Sequence, residues 1–306
     1  MDWKAEITAA AKRIAPHVRH TPVLDVGLPG LGFPVSLKLE QMQHTGSFKA
    51  RGAFNTLLAG PVPEAGVVAA SGGNHGAAVA YAAHHLGHRA RVFVPEFAGP
   101  AKIALIRDMG ADLTVVPGVY DNALTAARAY EAESGAMQIH AYDAPATVAG
   151  QGTVFAEWQY QGLEADTILI AVGGGGLIGG AAAWFGTDRR IIAVEPENAP
   201  TLNRALADGP DAEVEVSGIA ANALGAKRIG RIGYDLAKEA GVISVLVSDD
   251  AILAAQALLW RGLRQWVEPG GATALAALLT GAYQPARGEK VAVLICGANP
   301  APDPLH

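Results

Sequence analysis

Thr167-Ile168-Leu169-Ile170-Ala171-Val172-Gly173-Gly174-Gly175-Gly176-Leu177-Ile178-Gly179-Gly180 is an apolar run that breaks into four consecutive glycines and then resumes. Its first six residues are aliphatic or β-branched, as a strand covered on both faces requires. No charge occurs between residues 167 and 187, a stretch long enough to span a bilayer. Seven glycines in that stretch, clustered after the strand-like run, point instead to strand, loop and helix. Such a turn directs bare backbone N–H groups at an anion, helped by the missing Cβ and by the positive end of the helix dipole. Phosphate is the natural guest.

Outward from this turn, β-rich runs at residues 35–39, 67–70, 90–94, 113–116, 191–194, 242–247 and 291–295 alternate with helical stretches at 77–86, 100–109, 122–134 and 249–266. The alternation predicts an α/β protein with mainly parallel sheets. Gly60-Pro61-Val62-Pro63 and Asp143-Ala144-Pro145 are the natural breaks. They predict a large domain of residues 1–60 and 146–306 and a small one of 61–145, with ligand bound between them at the carboxyl ends of the strands.

Composition narrows the function. Half of the 306 residues are apolar, which excludes a disordered chain. A net charge of -6 and the absence of any Lys/Arg run argue against nucleic acid as partner. The single cysteine, Cys296, and an opening segment without an apolar signal core predict a cytoplasmic protein acting on a small molecule.

Two further segments carry chemistry. Ser71-Gly72-Gly73-Asn74-His75-Gly76 also lies between a strand and a helix and is a second anion site, suited to a carboxylate. Asn74 adds an amide that can hold a hydroxyl or oxyanion, while His75 reads equally as a packed or a catalytic histidine. In Thr45-Gly46-Ser47-Phe48-Lys49-Ala50-Arg51-Gly52, burial and the neighbouring cation Arg51 would both favour the neutral amine of Lys49, the form that attacks an aldehyde. Read alone, Lys49 is equally a solvated charge. The glycine turn also admits a dinucleotide reading, with Gly174, Gly176 and Gly179 as fingerprint and Glu195 as the ribose-binding acid.

Taken in order, the Lys49 segment, the Ser71 loop, the 173–177 turn and Cys296-Gly297-Ala298-Asn299 resemble the β-family, or fold type II, of pyridoxal-phosphate enzymes, in its threonine/serine dehydratase and serine racemase branch. The likeness spans nearly the whole chain and leaves the dinucleotide reading without an account of its first and last segments. It implies two open, twisted parallel-sheet domains like those of tryptophan synthase β, with pyridoxal phosphate between them as a Schiff base on Lys49. Phe48 would lie beside the ring, Asn74 at its 3-hydroxyl, and Cys296 at its pyridine nitrogen. Gly173, Gly174, Gly175, Gly176 and Leu177 would hold the phosphate, and Ser71, Gly72, Gly73, Asn74 and His75 the substrate. From the residue type alone, Cys296 also reads as a buried strand-end cysteine. A thiol does not protonate the ring, and an unprotonated ring suits elimination better than transamination.

Three departures refine the expectation. Related racemases carry a second serine where Gly72 stands, so dehydration should dominate over racemisation. Relatives bind a cation through a glutamate, a carbonyl and an aspartate; Glu195 and the carbonyl of Ala199 match, but Thr201 replaces the aspartate. His84, His85 and His88 form a weaker metal set, with no Cys or acid nearby. The resemblance further implies a homodimer, and a chain ending about ten residues after the terminal motif has no room for the regulatory domain of biosynthetic threonine dehydratases. Glu268-Pro269-Gly270-Gly271-Ala272 matches a family segment that approaches the cofactor, or is a plain turn before a helix.

Overall fold

The computed structural model describes residues 1–299. Its strands are β1 (Val23–Gly27), β2 (Pro34–Leu39), β3 (Val67–Ala70), β4 (Ala90–Pro95), β5 (Asp112–Val116), β6 (Met137–Gln138), β7 (Thr167–Ala171), β8 (Arg190–Pro196), β9 (Ile243–Val247) and β10 (Val291–Ile295). Six form one open sheet in the order β1-β2-β10-β7-β8-β9, and four form a second in the order β5-β4-β3-β6. Every pairing is parallel except that of β1 with β2.

The apolar runs behave as strands covered on both faces should. β3, β7 and β10 are buried along their whole lengths, whereas β5 and β9 are only partly covered at the sheet edges. The run at 167–187 divides, as its glycines imply, into β7, a loop and the helix Gly176–Phe185. No helix among the described residues is long and apolar enough to cross a membrane.

Two corrections concern boundaries and edges. The helix expected over 249–266 is Asp249–Leu263, because Arg264 takes a left-handed φ of 55° that ends it. Its start is capped by Ser248, whose side chain accepts from the Ala251 N–H. Strands β1 and β6 went unforeseen: one is a half-exposed edge of mixed polarity and the other has two residues.

Helix Pro145–Tyr160 is buried on nearly all sides, with Trp158 and Phe155 fully inaccessible, so it shows no amphipathic stripe. Helix Lys49–Leu58 packs against it through Gly52 and Gly150, where a Cβ on Gly150 would stand 2.6 Å from Gly52 Cα. The opposite face of helix Lys49–Leu58, through Ala50, Ala53, Phe54 and Leu57, joins Val67 and Ala69 of β3 in one apolar cluster. This helix therefore ties the segment of Lys49 to helix Pro145–Tyr160 on one face and to the second sheet on the other.

Candidate active site

Parallel register brings three sequence segments to one place. Leu39 at the end of β2 stands opposite Ile295 at the end of β10, and β7 runs parallel on the other side of β10. The chain thus leaves all three strands at one edge, toward the Lys49 segment, Cys296 and the glycine turn. The first two are then stitched together. Ser47 forms an antiparallel bridge with Gly297, the Phe48 N–H donates to the Cys296 carbonyl at 3.2 Å, and the Ala298 N–H donates to the Gly46 carbonyl at 2.8 Å.

The result is one cavity lined by Phe48, Lys49, Asn74, Tyr142, residues 173–177, Leu224, Glu268 and Cys296. All residues expected at the cofactor line it. Tyr142 and Leu224 were not foreseen, and Glu268 was foreseen only as part of a segment.

Lys49 Nζ donates to the Ala141 carbonyl at 2.8 Å and lies 5.3 Å from the centre of the Phe48 ring. Burial lowers its pKa to about 8, with Cys296 opposing the shift. The expected help from Arg51 does not materialise. That guanidinium turns into a buried ion network, meeting Glu40 at 2.7 and 2.9 Å and Glu157 at 2.9 Å, while Lys38 meets Glu157 at 2.6 Å. Two carboxylates neutralise the two cations there, so burial alone drives the Lys49 shift.

Asn74 is held by both ends of its amide. Its Nδ2 donates to Glu268 Oε1 at 2.5 Å and its Oδ1 accepts from Asn299 Nδ2 at 2.6 Å. Burial raises the Glu268 pKa to about 7, against the opposing effects of the Asn74 hydrogen bond and of Lys102. Cys296 keeps its proton, since burial and then Glu268 push the thiol pKa upward; Sγ donates to the Gly270 carbonyl at 3.4 Å.

The glycine turn fits a phosphate. Gly175 has φ of 97° and caps the helix Gly176–Phe185, a conformation that strains any residue with a Cβ. With an amine at one end, a glycine cradle at the other and Asn74 and Cys296 along the wall, the residues present fit pyridoxal phosphate. The dinucleotide reading fails on two counts. Gly179 faces Gly233 in a close helix contact, and Glu195 is occupied elsewhere.

The Ser71 loop contributes only Asn74 to this cavity. Ser71 Oγ accepts from the Gly73 N–H at 3.2 Å, and His75 is buried with Nε2 against the Ile139 carbonyl at 2.9 Å. Burial, and then the positive charge of Lys49, lower the His75 pKa to about 3, so the ring is neutral and donates to that carbonyl. At Gly72 a Cβ would overlap the Ala98 methyl and approach Val94 Cγ1 to 3.2 Å.

The residues expected at a cation do not fit one. Glu195 Oε1 accepts from the Leu202 N–H at 2.6 Å, and Oε2 accepts from the Asn203 N–H at 2.8 Å and the Ser244 hydroxyl at 2.9 Å. It thereby caps helix Thr201–Asp208, and burial raises its pKa to about 7, opposed by those hydrogen bonds. The Ala199 carbonyl accepts from the Thr201 N–H at 3.0 Å, and Thr201 Oγ1 donates to the Ala226 carbonyl at 2.7 Å. No group of three or more His, Cys, Asp or Glu could hold a metal among the described residues, His84, His85 and His88 included.

Comparison with known proteins agrees with this geometry. The family model described as "Pyridoxal-phosphate dependent enzyme" matches residues 14–297. Phenylserine dehydratase of Ralstonia pickettii is 36% identical over 96% of this chain and 92% of its own length. L-threonine ammonia-lyase of Thermotoga maritima is 34% identical over 88% of this chain and 68% of its own length. Among solved structures, maize serine racemase superposes with a TM-score of 0.89 at 31% identity, covering 97% of this chain and 93% of that one. Serine racemase from Dictyostelium discoideum gives 0.85 at 31% identity, covering 96% and 97%. The chain therefore belongs to the pyridoxal-phosphate dependent enzymes, with dehydratases and racemases among its relatives.

Proposed function

We propose that the protein is a lyase that eliminates water from L-serine, L-threonine or a similar small 3-hydroxy amino acid, the enamine so released then taking up water to give a 2-oxo acid and ammonia. The observation that carries this reading is Lys49, a buried amine lining the cavity with its pKa lowered to about 8, while position 72, where the resemblance places the second acid of racemases, is a glycine with no space for a side chain. Pyridoxal phosphate, bound in the cavity, supplies the electron sink that makes the substrate α-proton acidic. The N–H groups of residues 173–176 would hold its phosphate, Phe48 would lie beside the ring, and Asn74, fixed by Glu268 and Asn299, would meet the ring's polar edge. Cys296, which retains its proton, would face the ring nitrogen without charging it.

Lys49 takes the α-proton as general base on one face. Residues 61–145 would form the substrate half of the molecule, where Asn74 of the Ser71 loop reaches the cavity. Where related racemases carry a serine as the acid of the opposite face, position 72 is glycine, so loss of the β-hydroxyl should outrun reprotonation.

Purified protein should be yellow and release 2-oxo acid from L-serine or L-threonine. Lys49→Ala should remove the visible band and lower turnover by on the order of 10³-fold or more. Conversion of L-serine mainly to D-serine would overturn the assignment in favour of a racemase, and activity confined to 3-hydroxyaspartate would narrow it to another substrate.

A further inference from the structure

The segment between β6 and helix Pro145–Tyr160 packs against the glycine turn, and hydrogen bonds at four of its residues help hold it. His75 Nε2 donates to the Ile139 carbonyl at 2.9 Å, and Thr147 Oγ1 to that of His140 at 3.0 Å. Lys49 Nζ donates to the Ala141 carbonyl at 2.8 Å, and the Ile232 N–H to Asp143 Oδ1 at 2.9 Å. Between these anchors the ring of Tyr142 sits in a slot between Gly174 and Gly230, and Gly176 faces that residue's backbone and Cβ. A Cβ on Gly174 would overlap ring atoms Cγ, Cδ1 and Cε1, and one on Gly230 would come within 2.9 Å of Cδ2. A Cβ on Gly176 would come within 3.0 Å of Tyr142 Cα. The slot closes on itself, since the Gly230 N–H donates to the Gly174 carbonyl at 2.9 Å.

Four consecutive glycines are free to take many backbone conformations, so a loop built from them does not hold its N–H groups convergent by itself. A rigid ring seated between Gly174 and Gly230 removes that freedom. We propose that Tyr142 is a positioning residue for the cofactor's phosphate, its ring bracing the 173–176 loop so that the loop's N–H groups converge on the anion. This rests on the reading that the loop takes the phosphate. The brace is the ring, since the hydroxyl reaches only the Arg228 carbonyl at 3.5 Å.

Apoprotein titrated separately with pyridoxal phosphate and with pyridoxal, followed by visible absorbance, tests the proposal, because only the first carries the anion. Tyr142→Ala should weaken pyridoxal phosphate about tenfold or more while leaving pyridoxal within about twofold, whereas Tyr142→Phe should bind both like the wild type. Gly174→Ala, which expels the ring from its slot, should reproduce the loss. Combined with Tyr142→Ala it should add less than its separate effect, because the two act on one contact. Circular dichroism of each apoprotein checks folding. Equal weakening of both aldehydes by Tyr142→Ala, or unchanged binding of pyridoxal phosphate, overturns the proposal. A wild type that binds the two aldehydes equally would instead remove the phosphate role of the loop, and the brace with it.

Discussion

The two glycine-rich turns share a sequence pattern and differ in what their glycines meet. Residues 173–176 line the cavity, and the Cβ positions of Gly173, Gly174 and Gly176 are taken by Leu224 and Tyr142, neighbours from distant parts of the chain. In the Ser71 loop only Asn74 reaches the cavity. Gly72 is pressed against Ala98, and a Cβ on Gly76 would overlap the Ser71 carbonyl and approach Ile106 Cδ1 to 3.1 Å. One turn is a cradle with a braced back; the other is a packed support that presents a single amide. A strand, glycines and a helix announce a tight turn with free N–H groups, and the tertiary neighbours decide which of those groups a ligand can use.

The comparison can be broken at either turn. Gly173→Ala drives a methyl to within 2.9–3.1 Å of Leu224 backbone atoms, which have little room to yield. It should weaken pyridoxal phosphate by about tenfold or more, measured by titration of apoprotein. Gly72→Ser should act on stability instead, lowering it by about 1–3 kcal/mol in denaturant titrations, with partial recovery when Ala98→Gly makes room. Weakened cofactor binding without loss of stability at Gly72 would show that the two turns do the same work.

Smaller effects test the walls of the cavity. Because burial raises the folded pKa of Glu268 to about 7, its stability contribution is complete below the unfolded value near 4.5 and is lost as pH rises through about 7. Glu268→Gln should therefore raise the melting temperature of apoprotein at pH 8 by about 2–4 °C and change little at pH 5. Lys49 shifts the other way, its amine losing its proton near pH 8 rather than 10.5. The rate at which apoprotein develops its visible band with pyridoxal phosphate should rise with pH and level off above about 8. A rise continuing toward pH 10 would mean that the amine is solvated.

Much of the scaffold was legible because parallel strands buried on both faces are continuous apolar runs. β3 and β10 fall on the expected residues, and β2, β4, β5, β7, β8 and β9 lie within two residues of them. Edge strand β1 and the two-residue β6 lack that signal, and helix Pro145–Tyr160, buried all round, lacks a stripe. At the site, the glycine turn could be read directly, whereas Lys49 and Cys296 could be read only from the order of the four segments taken together. Tyr142 and Leu224 could not, since a tyrosine after an alanine and a leucine before a glycine mean nothing until the fold sets them against Gly174 and Gly173.

The sequence by itself determined the α/β class and the phosphate-suited turn, because each follows from local residue chemistry or from the run length of apolar side chains, while Lys49 stood out only in the ordered company of the other segments. Tertiary structure alone decided which neighbours shift Lys49, with Arg51 drawn off by Glu40 and Glu157 and burial left to act. It also decided that His75 donates to the Ile139 carbonyl and that Glu195 caps a helix. Electrostatics and hydrogen bonding depend on distances between residues remote in the chain, and those distances exist only once the strands have been laid side by side.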